Sequence, residues 1–439
     1  LTMWADVVIC DYNYVFDPRV YLKRYFAEKG GDFTFLTDEA HNLVDRSREM
    51  FSAELLKKPF LKLRKDLKEL SPKISKTSGR INSFMLEMKK LCGDKNCHIS
   101  KEQHKDLYYL LQKLVTDCEE YLVKNQKGTQ TEELLNLYFD ALAFIKISEF
   151  YDDRYVTLIE NTDDVKIKLF CLDPSYLLGE ALKRGKTAVF FSATLTPMNY
   201  FREILGGSSE DYTMHLESPF DANNRCLLIA DKISTRYKDR ERSKSDIADL
   251  IKALVSVKKG NYLVFFPSYQ YMNMVYVVFT ERYSDINTYL QEALMAEHEK
   301  ENFLSLFKSE PEDTFLAFCV LGGIFSEGID LKNDRLIGTA VVGVGLPLIC
   351  TERDVIKDYF QGKNAMGFEY AYMYPGMNKV LQAAGRVIRT EEDRGVILLI
   401  DDRFSSIAYK ALFPRDWFSC RNVTKGSISE YLAKFWRNK

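Results

Sequence analysis

The feature that most constrains this chain is a series of short apolar runs that do not alternate with polar residues. Residues 5–10, 33–37, 187–191, 262–266, 315–320, 340–344 and 396–400 are rich in Val, Ile and Phe. A strand with one wet face alternates, so unbroken runs of this length suit strands buried on both faces of a parallel sheet. Helical patterns fill most of the intervals, which predicts an α/β chain built from crossover connections. The interval between the second and third runs is too long for one crossover and predicts an insertion.

From about residue 45 to residue 150 the composition shifts to Leu, Lys and Glu with little glycine. Leu107, Leu110, Leu111 and Leu114, then Leu134, Leu137 and Leu142, recur there at helical spacing, so a helical domain is expected. Within it, residues 57–80 hold nine basic side chains against Asp66 and Glu69, a net of +7. A solvated helix face and a contact to a nucleic-acid backbone both fit that excess. Runs 155–160 and 166–172, around the polar 161–164, read as a hairpin returning the chain to the first sheet. The expected organisation is a discontinuous first α/β domain (residues 1–44 and 151–217), a helical insertion (45–150) and a second α/β domain (218–439).

A composition of 46% hydrophobic and 28% charged residues over 439 positions excludes disordered and fibrous classes. The longest uncharged apolar stretch, 336–350, is broken by Gly338, Gly343, Gly345 and Pro347 and is too short to span a bilayer, so no membrane partner is expected. Nine cysteines, an odd number, sit mostly inside apolar runs, as Cys10, Cys171, Cys319 and Cys350 do, which suits a reducing cytoplasm. Cys92, Cys97, His98 and His104 are spaced too loosely for a zinc site. With a net charge of −2, any nucleic-acid site must be a local groove and not a global basic field. A monomer is expected.

Five short motifs carry chemistry. The run 33–37 ends in Asp38, Glu39, Ala40 and His41. Ligands of open α/β sheets bind at the carboxyl ends of strands, and two adjacent acids there suit nucleotide chemistry. The first can hold Mg²⁺ through its water shell, and the second can deprotonate a water attacking the γ-phosphate. A given tetrapeptide arises by chance in roughly 0.3% of chains this long, so DEAH in a strand-end context is specific. Ser192 and Thr194 follow the run 187–191 and can bond acids or phosphates, although a cap for the next helix fits equally. Ser268 and Tyr269 end the run 262–266 with a hydroxyl and an aromatic ring that suit a phosphate and a base, and a core role fits equally. Gly322 and Gly323, then Ser326, Glu327, Gly328, Ile329 and Asp330, combine a permissive backbone with a hydroxyl and acids. Last, Gln382, Arg386 and Arg389 are spaced to share one helix face, where two guanidinium forks fit a polyphosphate.

Their order is more informative than any single motif. DEAH, SATLTP, FFPSY, GIFSEGIDL and QAAGRVIR resemble helicase motifs II to VI of superfamily 2, and specifically the XPD/DinG family. The trailing Thr196 and Pro197, the run Ser326 to Asp330, and Ala383 with Ala384 favour that branch over DEAH-box RNA helicases. The helical insertion resembles the family's Arch domain, and ADVVICDYNYVFDP (residues 5–18) resembles the segment before motif II.

The resemblance implies two RecA-like parallel-sheet domains that close on ATP and move 5′ to 3′ along single-stranded DNA. By position, Asp38 would hold Mg²⁺ and Glu39 would be the catalytic base. Gln382, Arg386 and Arg389 would reach the phosphates. Gly328 and Asp330 would couple nucleotide to DNA, Ser192 and Thr194 would link the domains, and these four with His41 would form the nucleotide side of the site. Ser268, Tyr269 and Ser326 would lie along the DNA.

The chain contains no G-x-x-x-x-G-K-[ST]. Gly185, Lys186 and Thr187 carry its last letters, but Glu180 stands where the first glycine is needed. The resemblance places that loop, and any 4Fe–4S cluster, upstream of the segment matching residues 5–18. The chain is therefore expected to be a truncated helicase body that hydrolyses ATP poorly by itself. The competing reading is a non-hydrolysing nucleic-acid-binding scaffold, and the presence of Asp38, Glu39, Arg386 and Arg389 together counts against it. An RNA-directed DEAH-box ATPase is a third.

Overall fold

A computed structural model of the chain describes residues 4–29, 31–124, 130–325 and 331–437. The chain falls into two compact units, Leu1–Ser192 with Phe201–Asp211, and Ala193–Tyr200 with Tyr212–Lys439. Among the described residues no helix is long and apolar enough to cross a membrane.

Strands β1 (Thr34–Thr37), β2 (Ala53–Leu56), β3 (Cys97–Ser100), β4 (Tyr155–Asn161), β5 (Val165–Cys171) and β6 (Thr187–Phe190) belong to the first unit. β1 and β6 pair in parallel with Thr34 opposite Thr187, as two of the apolar runs predicted. Residues 5–10, read as a strand, are not one: Val7 and Ile9 are 77% and 96% exposed. An apolar run becomes a strand only where neighbouring backbone groups are free to pair, and among the described residues β1 and β6 pair with each other alone.

The hairpin β4–β5 forms, but it does not return the chain to that sheet. It joins β2 and β3 in an antiparallel sheet of order β2-β5-β4-β3. The insertion expected to be helical thus contributes two short strands. Their sequences, AELL and CHIS, have weak strand character, and the exposed edges of the hairpin induce it. The expected helices are present as Lys57–Asp66, Pro72–Lys89, Lys105–Lys124 and Gln130–Ser148. Leu107, Leu111 and Leu114 are buried from one, and Leu134, Leu137 and Phe144 from another, which is the helical periodicity at work. Of the nine basic residues at 57–80, Lys57, Lys62 and Lys73 pair with Asp164, Glu133 and Glu120. Lys58, Arg64, Lys65, Lys68, Lys76 and Arg80 are exposed.

The second unit is built on β7 (Arg225–Ala230), β8 (Asn261–Phe266), β9 (Asn287–Leu290), β10 (Phe315–Val320), β11 (Gly338–Val342), β12 (Gly395–Ile400) and β13 (Arg421–Asn422). They form one sheet of order β13-β7-β12-β11-β8-β10-β9, with every pairing parallel. Every residue of β8, β11 and β12 is buried, which is the physical reason their sequences do not alternate. Helices Arg240–Ser256, Tyr269–Arg282 and Ile428–Arg437 close one face, placing Ile247, Ile251, Val275, Phe279 and Leu432 against Val264, Phe266, Phe318 and Leu398. The rings of Phe266 and Phe318 stack across neighbouring strands at 5.9 Å.

Candidate functional site

In the first unit, β1 delivers Asp38 and Glu39 at its carboxyl end. The Phe191 N–H donates to the Thr37 carbonyl at 3.0 Å, and the Ala40 N–H donates to the Phe191 carbonyl at 3.1 Å, so the DEAH turn is laced to the exit of β6. Glu39 adopts φ 44° and ψ 45°, in the left-handed region. That conformation costs a residue with a Cβ roughly 1–2 kcal/mol and persists where the surroundings over-determine it. Here its own N–H donates to Asp38 Oδ1 at 2.7 Å. The Tyr12 hydroxyl reaches the Asp38 carbonyl at 2.5 Å and the Glu39 carbonyl at 3.1 Å.

The side chains of motifs II and III meet. Ser192 Oγ donates to Glu39 Oε2 at 2.9 Å and lies 2.7 Å from His41 Nδ1, which is itself 3.3 Å from Glu39 Oε2. With the serine proton committed to the carboxylate, the pattern closes when His41 Nδ1 carries a proton and donates to Ser192. His41 is buried while the Glu39 side chain is 58% exposed, so an anchored glutamate presents its carboxylate outward. The exposed Asp38 carboxylate beside it offers the hard oxygen donor that Mg²⁺ accepts through its water shell. The division between the units falls between Ser192 and Ala193, and Thr194, buried, lies in the second unit.

In the second unit, Gln382 lies in the last turn of the helix Tyr374–Ala384. Gly345 and Gly376 set how close that helix lies to the end of β11. A Cβ on Gly345, at φ +65°, would stand 2.5 Å from the Gly376 carbonyl oxygen, and one on Gly376 would stand 2.7 Å from that of Val344. Arg386 and Arg389 do not continue the helix, contrary to the expectation of one shared face: both lie in the turn that follows. The cause is Asp393, whose Oδ2 accepts the Arg389 and Thr390 N–H groups at 2.6 and 2.7 Å, and whose Oδ1 accepts the Asn333 N–H at 2.7 Å. A 3%-exposed carboxylate takes amides that a helix would have turned back to its own carbonyls. It also ties the arginine turn to the segment following motif V. Ser326, Gly328 and Asp330 of that motif lie outside the described residues.

Ser268 caps the helix Tyr269–Arg282, accepting the Tyr271 N–H at 3.3 Å. Tyr269 Oη lies 3.4 Å from the Glu292 carbonyl and 3.2 Å from Gln291 Nε2. Sequence reasoning missed Tyr12 and Asp393. The Thr390-x-x-Asp393 spacing, a capping-box pattern, is a local signal for the second. Tyr12 has none, because its partners stand 26 and 27 residues away.

The helicase C-terminal domain family matches residues 251–420. The XPD helicase subunit of the general transcription and DNA repair factor IIH from Schizosaccharomyces pombe is 20% identical, over 97% of this chain and 66% of its own length. The ATP-dependent DNA helicase CHL1 of Debaryomyces hansenii is 24% identical, over 91% of this chain and 56% of its own. The 3′-5′ exonuclease DinG of Staphylococcus epidermidis is 25% identical, over 66% of this chain and 31% of its own. The chain thus spans less than two thirds of these relatives. An XPD apo structure superposes with a TM-score of 0.59 at 19% identity, over 94% of this chain and 80% of that one. The S. tokodaii Xpd4 structure gives 0.60 at 16% identity, over 94% and 79%. The fold is that of these XPD structures, α/β with two RecA-like domains. Motif order, relatives and structural neighbours agree, and together they support a helicase similar to the XPD/DinG family.

Proposed function

We propose that the protein is an ATP-dependent DNA helicase of the XPD/DinG type that moves 5′ to 3′ along single-stranded DNA. The observation that carries this reading is the anchored, outward-facing Glu39 carboxylate beside Asp38 at a strand's carboxyl end, bonded to Ser192 of motif III. A dead motor has no chemical need to hold a base in a strained conformation.

In this reading Glu39 accepts a proton from water as the water oxygen bonds the γ-phosphorus and the bond to the β-phosphate oxygen breaks. Asp38 would hold Mg²⁺, which supplies charge neutralisation at the phosphates. Gln382, Arg386 and Arg389 serve the phosphates, the arginines stabilising charge in the transition state. Gly328 and Asp330 of motif V couple nucleotide to DNA, Ser192 and Thr194 link the two domains, and His41 stands on the nucleotide side of the site. Ser268, Tyr269 and Ser326 line the strand's path. A monomeric state, a cytoplasmic setting and the domain boundaries read from the sequence, with residues 155–171 assigned to the insertion whose strands they pair with, complete the proposal. The 439 residues alone hydrolyse ATP poorly, because the phosphate-cradling loop of the family is not among them.

The test is ATP hydrolysis with and without single-stranded DNA, comparing these 439 residues with the full-length protein. DNA-stimulated turnover confined to the full-length protein is expected. DNA binding without turnover in both would favour the non-hydrolysing scaffold, and stimulation by RNA alone would favour an RNA-directed ATPase.

A further inference from the structure

We infer that Tyr12 is a positioning residue for ATP hydrolysis, its hydroxyl holding the Asp38–Glu39 backbone so that the base meets the attacking water. The assignment rests on the ATPase reading above and names a residue outside the helicase motifs.

Two observations carry it. First, the hydroxyl spans both acidic residues, 2.5 Å from the Asp38 carbonyl and 3.1 Å from that of Glu39, where Glu39 sits in the left-handed region. The Glu39 carbonyl also accepts the Asn42 N–H at 2.9 Å, so the peptide beyond the base is held from two directions. Second, Tyr12 is itself fixed. It precedes the helical turn Asn13–Phe16, and Phe16 is buried against Phe35 of β1 at 6.4 Å between ring centroids. The strand that delivers the acids therefore also anchors the group that orients them. Asp11 reaches Arg46 of the helix Leu43–Met50 at 3.7 Å and ties the segment down on the other side.

A shift of a few tenths of an ångström at a general base lowers turnover without touching nucleotide affinity, since the carboxylate works chiefly in the transition state. Tyr12→Phe in the full-length protein keeps the ring and removes the donor. The expected result, under saturating single-stranded DNA, is a kcat lower by about 5- to 10-fold, the worth of one hydrogen bond, with KM for ATP and Tm unchanged. An unchanged kcat overturns the assignment, and so does a loss that comes with a raised KM or a lowered Tm, which a purely structural hydroxyl would produce. Wild-type turnover that Glu39→Gln abolishes and Tyr12→Phe leaves intact defeats this assignment alone. An inactive wild type defeats the ATPase reading and this one with it.

Discussion

Glu39 combines a strained backbone with a doubly supported carboxylate, so its chemistry separates from its binding. Glu39→Gln preserves the shape and the Ser192 hydrogen bond but cannot take a proton. Turnover by the full-length protein should fall by about 10²- to 10⁴-fold with ATP affinity retained, measured as kcat beside a nucleotide Kd; a parallel loss of affinity would assign Glu39 to binding. Asp401, at the end of β12, is a second residue whose surroundings decide its behaviour. It is 0% exposed, and Arg403 donates to it from Nε at 2.7 Å and from Nη2 at 3.0 Å, while the Thr235 N–H adds a bond at 3.1 Å. Burial by itself would raise its carboxyl; the bonds and charge of Arg403, with Thr235, outweigh burial and hold it below the usual value. A depressed folded value means that this stabilisation is present above the unfolded value of about 3.9 and is lost as pH falls below it. Asp401→Asn should therefore cost roughly 2–4 kcal/mol at neutral pH and less in acid. Urea titrations at neutral pH and near about pH 3 check this, and an equal penalty at both would remove the ion pair from the account.

At the scale of elements, the arginine turn depends on how the helix Tyr374–Ala384 is set against the end of β11. An alanine in place of a helical glycine ordinarily stabilises by up to about 1 kcal/mol. At Gly376 the sign reverses, because the new Cβ would stand 2.7 Å from the Val344 carbonyl oxygen and 3.1 Å from the Gly345 carbonyl carbon, both rigid backbone. Gly376→Ala is expected to lower stability by about 1–3 kcal/mol, read as a fall in Tm. Gly362→Ala, in the helix Thr351–Asn364 with nothing within 4 Å of the added carbon, is the matched control and should raise it. If both variants gain stability, the close approach is not limiting. The same reasoning explains the motif VI turn: two backbone amides captured by Asp393 end a helical pattern that residue spacing alone would have continued.

For the whole molecule, a net charge of −2 leaves no global field to draw in DNA, so binding must come from a local basic surface. Affinity for single strands by the full-length protein should still fall steeply with salt, by about 300-fold or more between roughly 50 and 200 mM if six or more phosphates are contacted. Titrations of a labelled oligonucleotide at several salt concentrations measure the slope, and a flat one would argue against backbone tracking. Lys58, Arg64, Lys65, Lys68, Lys76 and Arg80, exposed on the helices Lys57–Asp66 and Pro72–Lys89 and the segment between them, stand in the same unit as the DEAH turn.

The sequence by itself determined the α/β class, the fully buried strands of the second unit, the helices of the insertion, and the strand-end placement of Asp38, Glu39 and Ser192. These follow from local rules: burial on both faces removes alternation from β8, β11 and β12, and short motifs sit where strands end. Tertiary structure alone decided that residues 5–10 stay unpaired and that the hairpin β4–β5 recruits AELL and CHIS into an antiparallel sheet. It also decided that Asp393 bends the arginine turn and that Tyr12 bonds the Asp38 and Glu39 carbonyls. Each of these depends on a hydrogen-bonding partner distant in the chain or drawn away from its local ladder, and an unsatisfied backbone or hydroxyl group carries no mark in the sequence of where its partner will be found.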